Sequence, residues 1–221
     1  MNLTDAIKAR HSVRQYTAKP IDDEAKAQLS ALVDSCNLES GLRIQLCFDE
    51  PRAFDSMLAR YGKFTGVNNY IALVGPKGPH LEEKCGYHGQ RLVLLAQQLG
   101  LNTCWVAATY SKGKSPAAVR PGEKLLMVIS LGYGATQGVS HKSKPLEAVC
   151  KAPSPMPEWF RAGMEAVLLA PTATNQQKFL FTLQGSAVKA EALSGFYAKT
   201  DLGIAKLHFE IGAGQGSWSW A

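Results

Sequence analysis

The chain has no cysteine pair at Cys-x-x-Cys spacing: Cys36, Cys47, Cys85, Cys104 and Cys150 are scattered and odd in number. This argues against a disulfide framework and a zinc site, and it fits a reducing cytoplasm. Long apolar runs are also missing. No stretch approaches the roughly 18 residues of a membrane span, and the first residues carry no signal-peptide core. Basic runs interleaved with aromatics are absent too, so the net charge of +6 favours small anions over nucleic acid. Nor is there a Ser/His/Asp or Cys/His nucleophile constellation, an HExxH pattern or a calcium loop, which leaves no catalytic side chain and no metal site to name. What remains is an ordinary globular composition, 46% hydrophobic and 19% charged over 221 residues, enough to bury a sizeable core.

Periodicity places the elements. Leu3, Ala6 and Ile7 form a short helical stripe that Asn2 or Thr4 can cap. After Pro20, Asp22 is a candidate N-cap for a helix burying Leu29, Leu32, Val33 and Cys36. Strict alternation from Leu42 to Phe48 predicts a half-buried strand, and the continuous run Tyr70 to Val74 predicts a central one. Leu81 to Leu99 reads as a helix stopped by Gly100, with strands at Thr103–Ala107 and Leu125–Leu131. Three prolines between Lys151 and Pro157 mark a linker, about 151–157, dividing a lobe 1–150 from a lobe 158–221. The second lobe holds a helix with Phe160, Gly163, Met164 and Val167 on one face, a strand Phe179–Leu183 and a last helix starting near Thr200-Asp201.

The segment Arg10-His11-Ser12-Val13-Arg14, if extended, puts Arg10, Ser12 and Arg14 on one side. Two guanidinium forks and a hydroxyl suit a phosphate dianion, although a solvated basic turn has the same composition.

Three separated pieces together resemble the FMN-dependent nitroreductase family. Arg10-His11-Ser12-Val13-Arg14-Gln15-Tyr16 is similar to its Arg-x-Ser-x-Arg phosphate-binding segment. Pro171-Thr172-Ala173-Thr174-Asn175-Gln176-Gln177-Lys178-Phe179 is similar to its Pro-Ser-x-x-Asn-x-Gln-Pro-Trp motif, with Lys178 in place of the proline. Lys142-Ser143-Lys144 resembles a late Lys-Ser-Arg near the flavin phosphate.

The resemblance implies an α+β nitroreductase-like fold, a mostly antiparallel central sheet flanked by helices. It implies FMN as cofactor, with Arg10, His11, Ser12, Arg14, Lys142 and Lys144 toward the phosphate and Pro171, Thr172, Asn175 and Gln177 toward the ribityl and ring. His11 could instead pack, and the two lysines could be solvated. A backbone N–H within Val106-Ala107-Ala108-Thr109 would serve flavin N5. The implied reaction moves hydride from NAD(P)H through the flavin to a nitroaromatic, quinone or similar acceptor; a flavin-binding protein without turnover and an anion- or nucleic-acid-binding module are the other readings. In ordinary members the Pro-Ser-x-x-Asn motif follows the phosphate segment closely and serves the partner subunit's flavin. Here that slot holds Cys36-Asn37-Leu38-Glu39-Ser40-Gly41 and the motif lies in the second lobe, so the chain is expected to be a monomeric pseudo-dimer, with a homodimer as the other possibility.

Overall fold

Asn2 starts the first helix by accepting the Asp5 N–H at 2.8 Å, which gives α1 (Leu3–Ala9). Asp22 does the same for α2 (Asp23–Ser40), accepting from Ala25 N at 2.8 Å, and Gly41 ends that helix at φ 70°. This computed structural model describes residues 1–216 and 218–221.

Four strands, β1 (Gln45–Cys47), β2 (Asn69–Pro76), β3 (Asn102–Val106) and β4 (Glu123–Gly132), form one antiparallel sheet in the order β1-β2-β4-β3. Residues 69 to 75 are all buried, as an unbroken apolar run in an inner strand requires. The edge strand β1 is shorter than alternation suggests. Asn37 takes both backbone groups of Ile44, donating to its carbonyl at 3.0 Å and accepting its N–H at 2.7 Å, so Ile44 lies outside the ladder. Between β1 and β2 lies the short helix α3 (Met57–Tyr61), capped by Ser56. In α4 (Leu81–Gln98), Leu92, Val93, Leu94 and Ala96 are buried, and Gly100 turns the chain at φ 76°.

A second sheet has the order β5-β6-β7-β8, from β5 (Cys150–Lys151), β6 (Phe179–Gln184), β7 (Ala187–Ala192) and β8 (Ser219–Trp220). Gly185, at φ 63°, sits in the tight turn that joins β6 to β7. The alanine-rich β7 has weak intrinsic strand preference, and its pairing on both sides holds it in place. The helices α5 (Glu158–Val167) and α6 (Ala198–Ala213) approach through small residues. A Cβ on Gly163 would lie 2.6 Å from the Phe209 ring, and one on Gly212 would lie 2.6 Å from the Ala162 carbonyl.

The chain divides into two compact units that are not consecutive in sequence. One comprises Met1–Lys8, Glu82–Gln90 and His141–Ala221; the other comprises Ala9–Leu81 and Arg91–Ser140. Within the first, the early half of α4 is tied to α6: Lys206 pairs with Glu83 at 2.5 Å, and Tyr87 donates to Glu210 at 2.5 Å. Those ties explain why a stretch from mid-chain joins the C-terminal elements, a grouping that the proline-rich segment does not reveal. The fold is α+β: helices together with one antiparallel four-stranded sheet and one mixed four-stranded sheet. Among the described residues no helix is long and apolar enough to cross a membrane, and the five buried cysteines form no disulfide.

Candidate functional site

In the second unit, the segment after α1 is extended because its backbone is claimed on both sides. Val13 N–H donates to the Thr103 carbonyl, Thr65 N–H to that of Arg14, Tyr16 N–H to that of Thr65, and Ala135 N–H to that of Gln15, all at 2.8–3.0 Å. Val13 and Tyr16 anchor it by entering the core. The Tyr16 hydroxyl donates to the Val13 carbonyl at 2.7 Å and lies 2.8 Å from Ser130 Oγ.

With Val13 committed inward, Arg10, Ser12 and Arg14 gather about one buried side chain. Burial pushes the Cys104 thiol up, and the three groups oppose that shift: Arg14 and Arg10 by their charge, Ser12 by a hydrogen bond. Arg10 itself is only 6% exposed. Burial lowers its guanidinium to about 10, which leaves it cationic at neutral pH. Arg14 is exposed and its guanidinium carbon lies 5.9 Å from the centre of the Phe64 ring. His11 is half-buried beneath Gly138, where an added Cβ would come within 2.8 Å of His11 Cβ. Gly138 is thus a close backbone approach to the segment.

In the first unit, the structure brings Lys142 and Lys144 together with Thr172, Asn175 and Gln177. Asn175 Nδ2 donates to the Lys142 carbonyl at 2.8 Å. Gln177 is buried, and its amide serves protein partners: Nε2 donates to the Lys142 carbonyl and to Asn175 Oδ1, each at 3.0 Å, and Oε1 accepts the Lys144 N–H at 2.8 Å. Lys144 Nζ donates to the Gln177 carbonyl at 3.0 Å, and Gln177 N–H donates to Thr172 Oγ1 at 3.1 Å. Gln177 therefore clamps two loops together. The side chains of Lys142 and Asn175 remain at the surface, while Pro171 and Thr172 are half-buried.

The backbone of this loop is strained. Thr174, Asn175 and Gln177 have φ of 50°, 57° and 46°, a left-handed conformation that costs energy for residues with a Cβ, most of all for β-branched Thr174. Such a shape persists only when its surroundings over-determine it.

Sequence reasoning overlooked the residue behind the loop. Asp201, 3% exposed, accepts the Ala173 N–H on Oδ1 at 3.0 Å and the Gln176 amide on Oδ2 at 2.7 Å. Burial raises its carboxyl to about 6 against the pull of these two donors. The same Gln176 Nε2 also donates to the Phe196 carbonyl at 2.7 Å. An acid at a helix start reads as an ordinary cap, and only the long-range contact distinguishes this one.

Among the described residues no cluster of His, Cys, Asp and Glu could hold a metal ion. The comparisons with known proteins bear on the same fold. No curated protein sequence matches the chain. A crystal structure from Thermotoga maritima described as a putative nitroreductase is similar with a TM-score of 0.69 and 22% identity, over 96% of this chain and 83% of that one. Another such protein, from Desulfovibrio desulfuricans and in complex with FMN, is similar with a TM-score of 0.55 and 22% identity, over 70% of this chain and 99% of that one. A third, from Bacteroides thetaiotaomicron and described as a putative NADH dehydrogenase/NAD(P)H nitroreductase, is similar with a TM-score of 0.51 and 23% identity, over 67% and 96%. At these identities the structures show a shared fold. The family model described as "Putative TM nitroreductase" matches residues 2–213, and the chain belongs to that nitroreductase family.

Proposed function

We propose that this protein is an FMN-dependent oxidoreductase that takes reducing equivalents from NAD(P)H and delivers them to a nitroaromatic, quinone or similar acceptor. The observation that carries the reading is that Arg10, Ser12 and Arg14 all act on the same Cys104 thiol, Ser12 through a hydrogen bond and the two guanidinium groups through their charge, with Arg10 buried. A cationic guanidinium can bind an anion through charge-assisted, bidentate hydrogen bonds. The neighbouring hydroxyl and the exposed Arg14 add a donor and a second charge, which together match a phosphate monoester. Family membership and the FMN in the Desulfovibrio desulfuricans relative support a flavin as the bearer of that phosphate.

Arg10, Ser12 and Arg14 would hold the phosphate, with His11 packed behind them and Lys142 and Lys144 supplying point charges. Asn175, turned outward with one amide hydrogen and one acceptor position beyond its protein partners, would meet the ribityl or the ring. Thr172 and Gln177 would fix the shape of that loop, with Pro171 at its start. The flavin, when bound, supplies the hydride chemistry, and the protein supplies orientation and access.

The test is the purified protein's visible spectrum, followed by steady-state oxidation of NADH or NADPH with a quinone acceptor. Flavin bands and turnover are the expected result. A protein that is colourless after mixing with FMN and removal of unbound flavin overturns the cofactor assignment. Flavin bands without turnover would leave a binding protein.

A further inference from the structure

We infer that Asp201 is a positioning residue: through Ala173 and Gln176 its carboxylate holds the strained loop Thr172–Gln177, and with it Asn175, in the shape that receives the ligand. The inference rests on the reading of Asn175 as a flavin contact.

Three left-handed, non-glycine residues within four positions do not stay in that conformation unaided. Two restraints act on them from opposite sides. On the outer side Gln177 and Asn175 are tied to the Lys142 carbonyl. On the inner side Asp201 accepts one backbone N–H and one side-chain amide, which fixes both ends of the short helical turn Ala173–Asn175. A carboxylate suits this place because it accepts from two donors at once; the loop offers Asp201 only donors.

Asp201 lies in the first turn of α6, a sixteen-residue helix, so the loop is referenced to a rigid element and not to another loop. Gln176 extends the restraint. Its amide nitrogen bridges Asp201 and the Phe196 carbonyl, so one carboxylate organises the Asn175 loop and, through Gln176, the chain at Phe196, whose ring is 85% exposed.

The chemistry predicts a distinctive pattern of variants. Asp201→Asn sets an amide donor against the Gln176 amide, and Gln176→Glu sets two carboxylates against each other. The double variant restores one donor facing one acceptor between positions 176 and 201, with the charge moved to 176, and leaves the Phe196 carbonyl without its donor. Two measurements are made on the full chain: amide hydrogen exchange over residues 173–177 without flavin, and FMN affinity by fluorescence quenching. Each single variant should speed exchange in that segment and weaken FMN by roughly ten- to hundredfold, the loss of one charged hydrogen bond. The double variant should recover part of both effects relative to either single variant, which a general loss of stability would not produce. Unchanged exchange in Asp201→Asn, or faster exchange with unchanged FMN affinity, overturns the positioning role. If the wild-type chain binds no FMN, the flavin reading fails separately, and unchanged loop exchange still overturns the restraint by Asp201.

Discussion

Arg14 stands exposed in a segment whose backbone is pinned at Val13, Tyr16 and Gln15, so removing its guanidinium deletes charge without releasing the chain. Arg14→Ala should weaken FMN by roughly ten- to hundredfold, the range for a charged hydrogen bond, with thermal stability nearly unchanged. Asn175→Ala should weaken it by about tenfold through neutral contacts, and this loss should be insensitive to salt where the Arg14 loss is not. Titrating FMN into each variant at two ionic strengths separates them, and retention of full affinity in both would remove the site. Asp201 gives a prediction in stability. Its folded carboxyl titrates near 6, above the usual carboxylate value, so between about pH 4 and 6 the folded protein binds the extra proton. Stability from this group is therefore fully present below that window and falls by about 3 kcal/mol as pH rises through it. Urea unfolding at pH 4.5 and pH 7 should show this slope in the wild type and lose it in Asp201→Asn. The Arg10–Arg14 and Pro171–Gln177 segments were legible as short contiguous motifs. The role of Gln177 was not, since only its buried position shows that its amide is spent on Lys142, Lys144 and Asn175.

Two close helix approaches and one strained loop carry the predictions at the scale of elements. A Cβ on Gly86 of α4 would sit 2.0 Å from the Thr200 carbonyl, and one on Gly203 of α6 would sit 2.0 Å from that of Glu83. Because backbone cannot yield as a side-chain tip can, Gly86→Ala should destabilise by about 1–3 kcal/mol, read as a lowered urea midpoint. In the loop, Thr174→Asn should do the opposite. Asn tolerates the left-handed region that a β-branched residue resists, so an increase of roughly 0.5–1 kcal/mol is expected. A fall in midpoint would show that Thr174 makes a contact worth more than its strain. The inner strand β2 and the helices α2 and α4 were readable from apolar spacing, which reports burial directly. The Ala-rich β7 and the short β8 were not, because alanine prefers strand only weakly, two residues are too few to show a period, and the pairing with β6 and with each other decides them.

At the scale of the whole molecule, the reading of the chain as a single-chain pseudo-dimer carries a stoichiometric consequence. Titration should reach one FMN per chain, and free FMN at 100 times its dissociation constant should stabilise the protein by about 2.7 kcal/mol. A ratio of one FMN to two chains would refute the single-chain arrangement. The sequence by itself determined the family and the inner strand, since these depend on short motifs and on an unbroken apolar run, whereas the extended course of Arg10–Tyr16 was set by its backbone partners at Thr65, Thr103 and Ala135. Tertiary structure alone decided which stretches form each compact unit, and it turned an apparent helix-capping acid into the support of a loop 28 positions earlier in the chain. The physical reason is range: periodicity records which face of an element is buried, whereas a hydrogen bond from α6 to the Thr172–Gln177 loop leaves no mark in the residues between them.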